Sequence, residues 1–352
     1  MVLPGLHGTF ANCPPRLPQG SVSASLQTLG GNGAECRKMA VYDCFTFFNE
    51  LDILELRLAE LSPHVDFFVL AEATRTFTGA PKPLYFKDNS ERFKQHADKI
   101  IHVVIEDLPL DGDAWSREAF QRNAIVRGLG DAQPDDIILL SDVDEIPRPE
   151  VLSQLSPAAV AGCIHFIEHE YYTYKLNLRI LDKWIGLCAT RAVQMKHLPA
   201  MQELRATRAR QSRRLPAGVN TALTMLRNRL RFGHFLRHVV HETSGWHFTF
   251  INSAESIRYK IASYAHQERN TPEFNSIENI SRLIATGTSI CGRRLQRVPD
   301  ARLPATVQAN RARYATWLSD GGANEAAAGA GSGGRRVAPG RIEAPVAAAT
   351  VR

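Results

Sequence analysis

The sequence predicts an α/β protein with a Rossmann-type, mostly parallel sheet flanked by helices. Two observations carry this. Strand-like apolar runs alternate with segments whose apolar residues recur at helical spacing, the order that a parallel sheet requires. The runs DFFVLA (66–71), IIHVVI (100–105) and IILL (137–140) are almost continuously apolar, as strands covered by helices on both faces are.

Taken in order, Val41–Phe48 reads as a strand. Leu51, Leu54, Leu58 and Leu61 then mark a helix over 51–61, with Asn49 available as its cap. Strands follow at 66–71 and 100–105, separated by a helix over 90–97. A helix over 116–129, capped by Ser116, leads to the strand at 137–140. The second half is more mixed: strands over 163–174, 184–193 and 245–251, a basic and partly helical stretch over 205–241, and helices over 257–266 and 277–286.

The chain has 352 residues, 44% hydrophobic and 22% charged, with a formal net charge of +6. That is ordinary globular balance. Residues 1–38 are rich in Pro, Gly and Ser and read as a disordered or non-native extension, with Met39 the functional start. Residues 39–320 form the folded domain, and 321–352 an Ala/Gly-rich tail. The six cysteines show no CxxC pair and no zinc spacing, so free thiols in a reducing compartment are expected. No run of about 18 apolar residues is present, and the N-terminus lacks a signal-peptide pattern. Both point to a cytoplasmic location.

The main chemical signal is IILLSDVDEIP, 137–147. An apolar strand runs into Asp-x-Asp. In an extended chain, residues two apart share a face, so Asp142 and Asp144 converge at the strand's carboxyl end. Two close carboxylates repel unless a positive charge lies between them. Mg²⁺ or Mn²⁺ is the natural occupant, and such an ion would stabilise charge on a diphosphate leaving group. A solvated acidic turn is the plain alternative.

Four blocks carry a family likeness: YDCFTFFNELDILELRL (42–58), FFVLAEATRTFTGAPKPLYF (67–86), DDIILLSDVDEIP (135–147) and GWHFTFI (245–251). In this order they resemble glycosyltransferase family seventeen, over roughly residues 40–292, with 195–240 matching poorly. The resemblance implies a GT-A-like fold, a UDP-sugar donor, metal dependence and inverting transfer of N-acetylglucosamine to a glycan or glycolipid acceptor.

Other residues take candidate roles beside it. Asn49 and Glu50 follow the first strand, where a base or ribose lies in a doubly wound sheet; helix capping is the competing reading. Glu72 ends the second strand, facing ribose hydroxyls. Lys82 and Arg75 stand in the next loop, within reach of diphosphate. Arg117 and Arg122 lie on the helix after the third strand, facing the donor. His247 is implied by the resemblance as a third metal ligand with Asp142 and Asp144. Glu170 is the candidate base that takes the acceptor's proton, with Asp182, Glu242 and Glu268 as rivals and Asp144 sharing the catalytic role.

The arginines between 205 and 237 admit a solvated helix face or a peripheral contact with a membrane or anionic acceptor. No nucleic-acid motif accompanies them, and nucleic acid is set aside. Three rival functions remain, one of them a catalytically silent sugar-nucleotide binder. A HAD-type phosphohydrolase also has Asp-x-Asp after a strand, but its motif opens the domain, whereas three strands precede this one. A non-enzymatic basic interaction protein would work through 205–237.

Overall fold

The computed structural model describes residues 38–181, 189–209 and 216–319. The chain divides into Met1–Lys38 and Met39–Arg352, and the fold below is that of the second unit. The extension before Lys38, the tail from 320, Asp182, Trp184, Cys188, and Arg210, Arg213 and Arg214 lie outside the described residues.

The elements alternate through the first half. They are β1 (Val41–Phe47), α1 (Leu51–Leu61), β2 (Phe67–Ala73), the short α2 (Tyr85–Asp88), β3 (Ile100–Ile105), α3 (Ala114–Ala124) and β4 (Ile137–Asp142). After them come β5 (Glu145–Pro147), α4 (Pro149–Leu152), α5 (Pro157–Val160), β6 (Cys163–Thr173), β7 (Leu178–Ile180), β8 (Ala189–Gln194), α6 (Met201–Ala206) and α7 (Ala217–Phe232). The chain closes with β9 (Arg237–Thr249), α8 (Ala254–Ser263), α9 (Ile277–Ala285), β10 (Leu295–Arg297) and α10 (Ala305–Ala309).

One sheet runs through the molecule in the order β10-β7-β6-β8-β4-β1-β2-β3, and β9 adds alongside β6. β1 pairs in parallel with β2 on one side and β4 on the other, and β2 with β3. β8 runs antiparallel to both β4 and β6, so β6 points the same way as β4, and β9 is parallel to β6. The path β3-β2-β1-β4-β8-β6-β9 therefore shares one direction except at β8. The α/β expectation holds.

β1 shows how the sheet is covered. Phe45 and Phe47 face one apolar layer with Leu54, Leu58 and Leu61 of α1. Tyr42 and Cys44 face the other, with Ala124 at the end of α3 and Ile125 just after it. Alternation along the strand produces the two layers, and each fully buried leucine contributes about 1.5–3 kcal/mol. A third apolar cluster joins Tyr171 and Phe250 to Ile257 and Ile261 of α8 and Ile280 of α9.

Three sequence expectations are corrected. The cap of α3 is Asp113, not Ser116: the Asp113 carboxylate accepts from Ser116 N and Oγ, and the helix starts two residues earlier. No side chain caps α1, and Glu50 rather than Asn49 precedes it. The strand expected over 245–251 begins at Arg237 and ends at Thr249. Gly233 ends α7 with a left-handed φ of 78°, a conformation that glycine tolerates best, and the β-branched pair Val239–Val240 continues as strand.

Among the described residues no helix is long and apolar enough to cross a membrane. Cys44, Cys163 and Cys291 are free thiols.

Candidate functional site

After β1, the chain builds β2 and β3 to one side and then crosses to place β4 on the other. The gap between the carboxyl ends of β1 and β4 is thus the switch point of the sheet, where open α/β folds bind ligands. Thr46 of β1 stands opposite Asp142 of β4, and its hydroxyl donates to Asp142 Oδ1 at 3.3 Å.

The turn that carries the two aspartates is held from below by Arg57 of α1. Arg57 is fully buried and forms a two-pronged pair with Asp43, at 2.8 and 2.6 Å. Its remaining N–H groups donate to the carbonyls of Asp142, Val143 and Glu145 and to Ser141 Oγ, at 2.7–3.2 Å. One guanidinium thereby satisfies most of the turn's inward carbonyls, a planar fork that lysine could not provide.

The two aspartates have different neighbours. Asp142 receives Arg122 on Oδ1 at 3.1 Å and Arg205 on Oδ2 at 2.8 Å. Desolvation pushes its carboxyl up, but the Arg205 and Arg122 charges outweigh this and hold it below its ordinary value. Arg205 also clasps both oxygens of buried Glu145 at 2.6 and 2.7 Å. Burial raises the Glu145 carboxyl, yet Arg205 keeps it well below the usual range. Asp144 instead meets Lys260 of α8 on Oδ2 at 3.0 Å and His247 Nε2 on Oδ1 at 3.5 Å. Lys260 reaches Glu50 as well, at 2.7 Å. Burial alone would lower the Lys260 ammonium, but Asp144 and Glu50 raise it strongly. Glu50, whose Oε2 accepts from the amides of Phe48 and Asn49, is lowered by Lys260 against the upward push of burial.

β5 and β9 bring His247 to this place: it pairs with Glu145, the residue after Asp144. Gly245 makes the approach possible. A Cβ there would come within 2.0 Å of the His169 ring, so only glycine lets β9 lie this close to β6. Burial holds His169 down to about 3, so it is a neutral ring that accepts or donates at Thr190 Oγ1, 3.1 Å away.

The structure thus gathers Glu50, Arg122, Asp142, Asp144 and His247 in one crevice. A cleft beside Lys260 extends from Asn49 and Glu50 towards Phe250, Asn252 and Trp317.

The other sequence candidates sit elsewhere. Glu72 is fully enclosed and accepts from Phe86 N at 3.1 Å and Lys82 Nζ at 3.4 Å, with His102 at 3.1 Å. Lys82 also donates to the Pro83 carbonyl and lies under the Phe48 and Tyr85 rings. Arg117 gives its donors to the carbonyls of Phe77, Pro109 and Leu110, fastening two loops, and Arg75 donates to the Gly79 carbonyl. Glu170 pairs in register with Trp246, whereas Tyr171 pairs with His247 and packs against its ring at 4.8 Å. Alternation therefore puts Glu170 on the face away from His247. There its carboxylate binds Arg148, Arg179 and Arg302 at 3.1, 2.6 and 2.6 Å.

Sequence reasoning missed Arg57, Asp43, Glu145, Arg205 and Lys260. The first two left a signal: a lone acid in an apolar strand, and an arginine within the apolar face of an amphipathic helix. Each implies a buried partner. Arg205, which opens the basic stretch, and Lys260 arrive from distant segments, and nothing local pairs either with the aspartate turn.

A divalent cation can be tested against this donor set. Among the described residues no group of three His, Cys, Asp or Glu side chains is disposed to hold a metal. Asp144 and His247 nevertheless offer one hard oxygen and one imidazole nitrogen 3.5 Å apart. Four crevice carboxylates (Glu50, Asp142, Asp144, Glu145) face three fixed cations (Arg122, Arg205, Lys260), which leaves an excess negative charge. Two protein ligands fall short of a dedicated site, so a cation here would have to take its other ligands from a bound anion and water.

Fold and site define an α/β protein with an acidic, arginine-braced crevice at the sheet's switch point. Comparison with known proteins gives the family. The model of glycosyltransferase family 17 matches residues 15–197, just over half of the chain, and the chain belongs to that family. The match begins inside the segment 1–38. Similar proteins include the β-1,4-mannosyl-glycoprotein 4-β-N-acetylglucosaminyltransferases of Rattus norvegicus and Homo sapiens, each 30% identical over 153 residues, 41% of this chain. That of Mus musculus is 29% identical. The alignment spans only 28% of the length of each relative. A solved glycosyltransferase involved in glycosylation of the major capsid of PBCV-1 shows a slight likeness, with 12% identity and a TM-score of 0.28 over 57% of this chain and 81% of that one.

Proposed function

We propose that the protein is an inverting N-acetylglucosaminyltransferase that moves the sugar from a UDP donor to a hydroxyl of a glycan or glycolipid. The observation that carries this reading is the meeting of Glu50, Asp142, Asp144 and His247 at the switch point of a family 17 chain. In this reading the base and ribose lie over Asn49 and Glu50, beyond β1. The diphosphate lies against Lys260, a fixed cation of the crevice that also borders the open cleft. The acceptor oxygen attacks the anomeric carbon from the side opposite the diphosphate, the bond to the diphosphate oxygen breaks, and UDP leaves.

Asp144 and His247 would hold the Mn²⁺ or Mg²⁺, which supplies charge neutralisation of the leaving diphosphate. Arg122 and Arg205 keep Asp142 ionised and fixed, so that it shapes the metal's surroundings. Glu170, bound by three arginines across the sheet, braces Arg148, which stacks over Trp246 at 4.1 Å. In this reading it is a positioning residue for β9 and leaves the acceptor's proton to another group.

The test is calorimetric titration of UDP and UDP-N-acetylglucosamine with Mn²⁺, repeated with chelator. Binding that needs the metal supports the site. No binding of any nucleoside diphosphate under either condition overturns it.

A further inference from the structure

Helix α7 buries the polar Thr224 and Asn228, packs Phe232 at its end against the core, and turns a stripe of apolar side chains outward. Asn228 Nδ2 donates to the Leu236 carbonyl at 2.7 Å and meets His238 Nε2 at 3.0 Å, so polar contacts fasten the helix to β9. The opposite side carries Val219, Leu223, Leu226 and Leu230, which are 45%, 46%, 51% and 82% exposed. At 100° per residue these four fall within an arc of about 60°. Phe235, 56% exposed, follows just beyond the end of the helix.

Arginines line this stripe. Arg227 and Arg229 project about 80° to either side of it, and both are exposed. From residue 204 to 241 the sequence has no Asp or Glu. A solvated helix would have the reverse arrangement, and a core helix would hide its leucines.

We infer that α7 is an interfacial helix that seats the protein on an anionic lipid bilayer. The leucine stripe enters the boundary between headgroups and acyl chains, and Arg227 and Arg229 reach the headgroup phosphates from either side. Charge complementarity selects this occupant over a second copy of the chain. Two α7 stripes face to face would oppose arginine to arginine, with no acidic residue in the segment to pair with them.

The experiment is flotation of the full chain with vesicles, which needs no sugar donor and so stands apart from the test of the transferase reading. The protein should float with phosphatidylglycerol-containing vesicles and not with pure phosphatidylcholine. Replacing the exposed leucines (Leu223→Ser, Leu226→Ser, Leu230→Ser) should cut partitioning by roughly tenfold or more. The pair Arg227→Glu and Arg229→Glu should cut it by about fivefold per site, and added salt should mimic the loss. All five side chains face solvent, and unchanged circular dichroism checks that each variant is folded. Failure to float, equal flotation with neutral vesicles, or unaltered flotation of the triple variant overturns the inference. So does a dimer of the parent chain that the triple variant converts to monomer.

Discussion

Asp142 and Asp144 lie two positions apart, yet their surroundings divide their work. Asp142 is gripped by Arg122 and Arg205, so Asp142→Ala leaves two partly buried guanidiniums short of a partner. It should lose activity and also about 3 kcal/mol of stability, measured by urea unfolding. Asp144→Asn is the cleaner test of the reaction. It keeps the shape and removes the charge that faces His247 and Lys260. Transfer should fall by roughly 100-fold or more while the unfolding midpoint moves little; activity close to that of the parent chain would remove Asp144 from the mechanism. His169 yields a pH prediction. Its ring is held down to about 3 in the fold, against about 6.5 unfolded. The native state therefore binds fewer protons, and this contribution is lost as pH falls below about 6.5 towards 3. Between pH 7 and 5.5 it should cost about 1 kcal/mol, and His169→Gln should flatten that slope in denaturant titrations at the two pH values.

At the scale of elements, α1 and β9 fix the site. α1 delivers Arg57 under the aspartate turn. Arg57→Met would leave Asp43 charged and buried and the turn's carbonyls without their donor, for a loss of about 3–5 kcal/mol. β9 delivers His247 and depends on Gly245. In Gly245→Ala the new methyl must displace the His169 ring, which should destabilise by about 1–3 kcal/mol and weaken Mn²⁺-dependent UDP binding in calorimetry. Intact metal-dependent binding in that variant would show that β9 does not need this close approach. The extent of β9 also shows why sequence signals fall short. HVVH (238–241) reads as part of a basic, partly helical stretch because the leucine spacing of α7 runs up to it, and the left-handed turn at Gly233 marks the break between helix and strand.

For the molecule as a whole, the sheet runs without a break from β10 to β3, and β9 joins it beside β6. A continuous sheet with helices on both faces should unfold as one unit. Tryptophan fluorescence and far-ultraviolet circular dichroism should give coincident transitions in guanidinium; two separated transitions would divide the second half from the first. Much of this architecture was legible in local pattern. The strands of the first half are uninterrupted apolar runs, and a parallel strand covered on both faces can hardly have another composition. Asp-x-Asp after the fourth strand marked the crevice for the same reason, since charge at the end of a buried run must lie at a sheet edge. Glu72, Lys82, Arg117 and Glu170 carry the same charges in the sequence as the crevice residues do. Their partners, His102 for Glu72, Glu72 for Lys82, the carbonyls of Phe77 and Pro109 for Arg117, and Arg302 for Glu170, lie 8 to 132 positions away. The alternation of elements and the two aspartates at the end of the fourth strand follow from the periodicity and polarity of neighbouring residues, whereas the switch point follows from the pairing of β4 beside β1. Which cations meet which carboxylates follows from long-range packing. Arg57, Arg205 and Lys260 reach the turn from three separate segments, and the fate of a buried charge depends on what the fold sets opposite it.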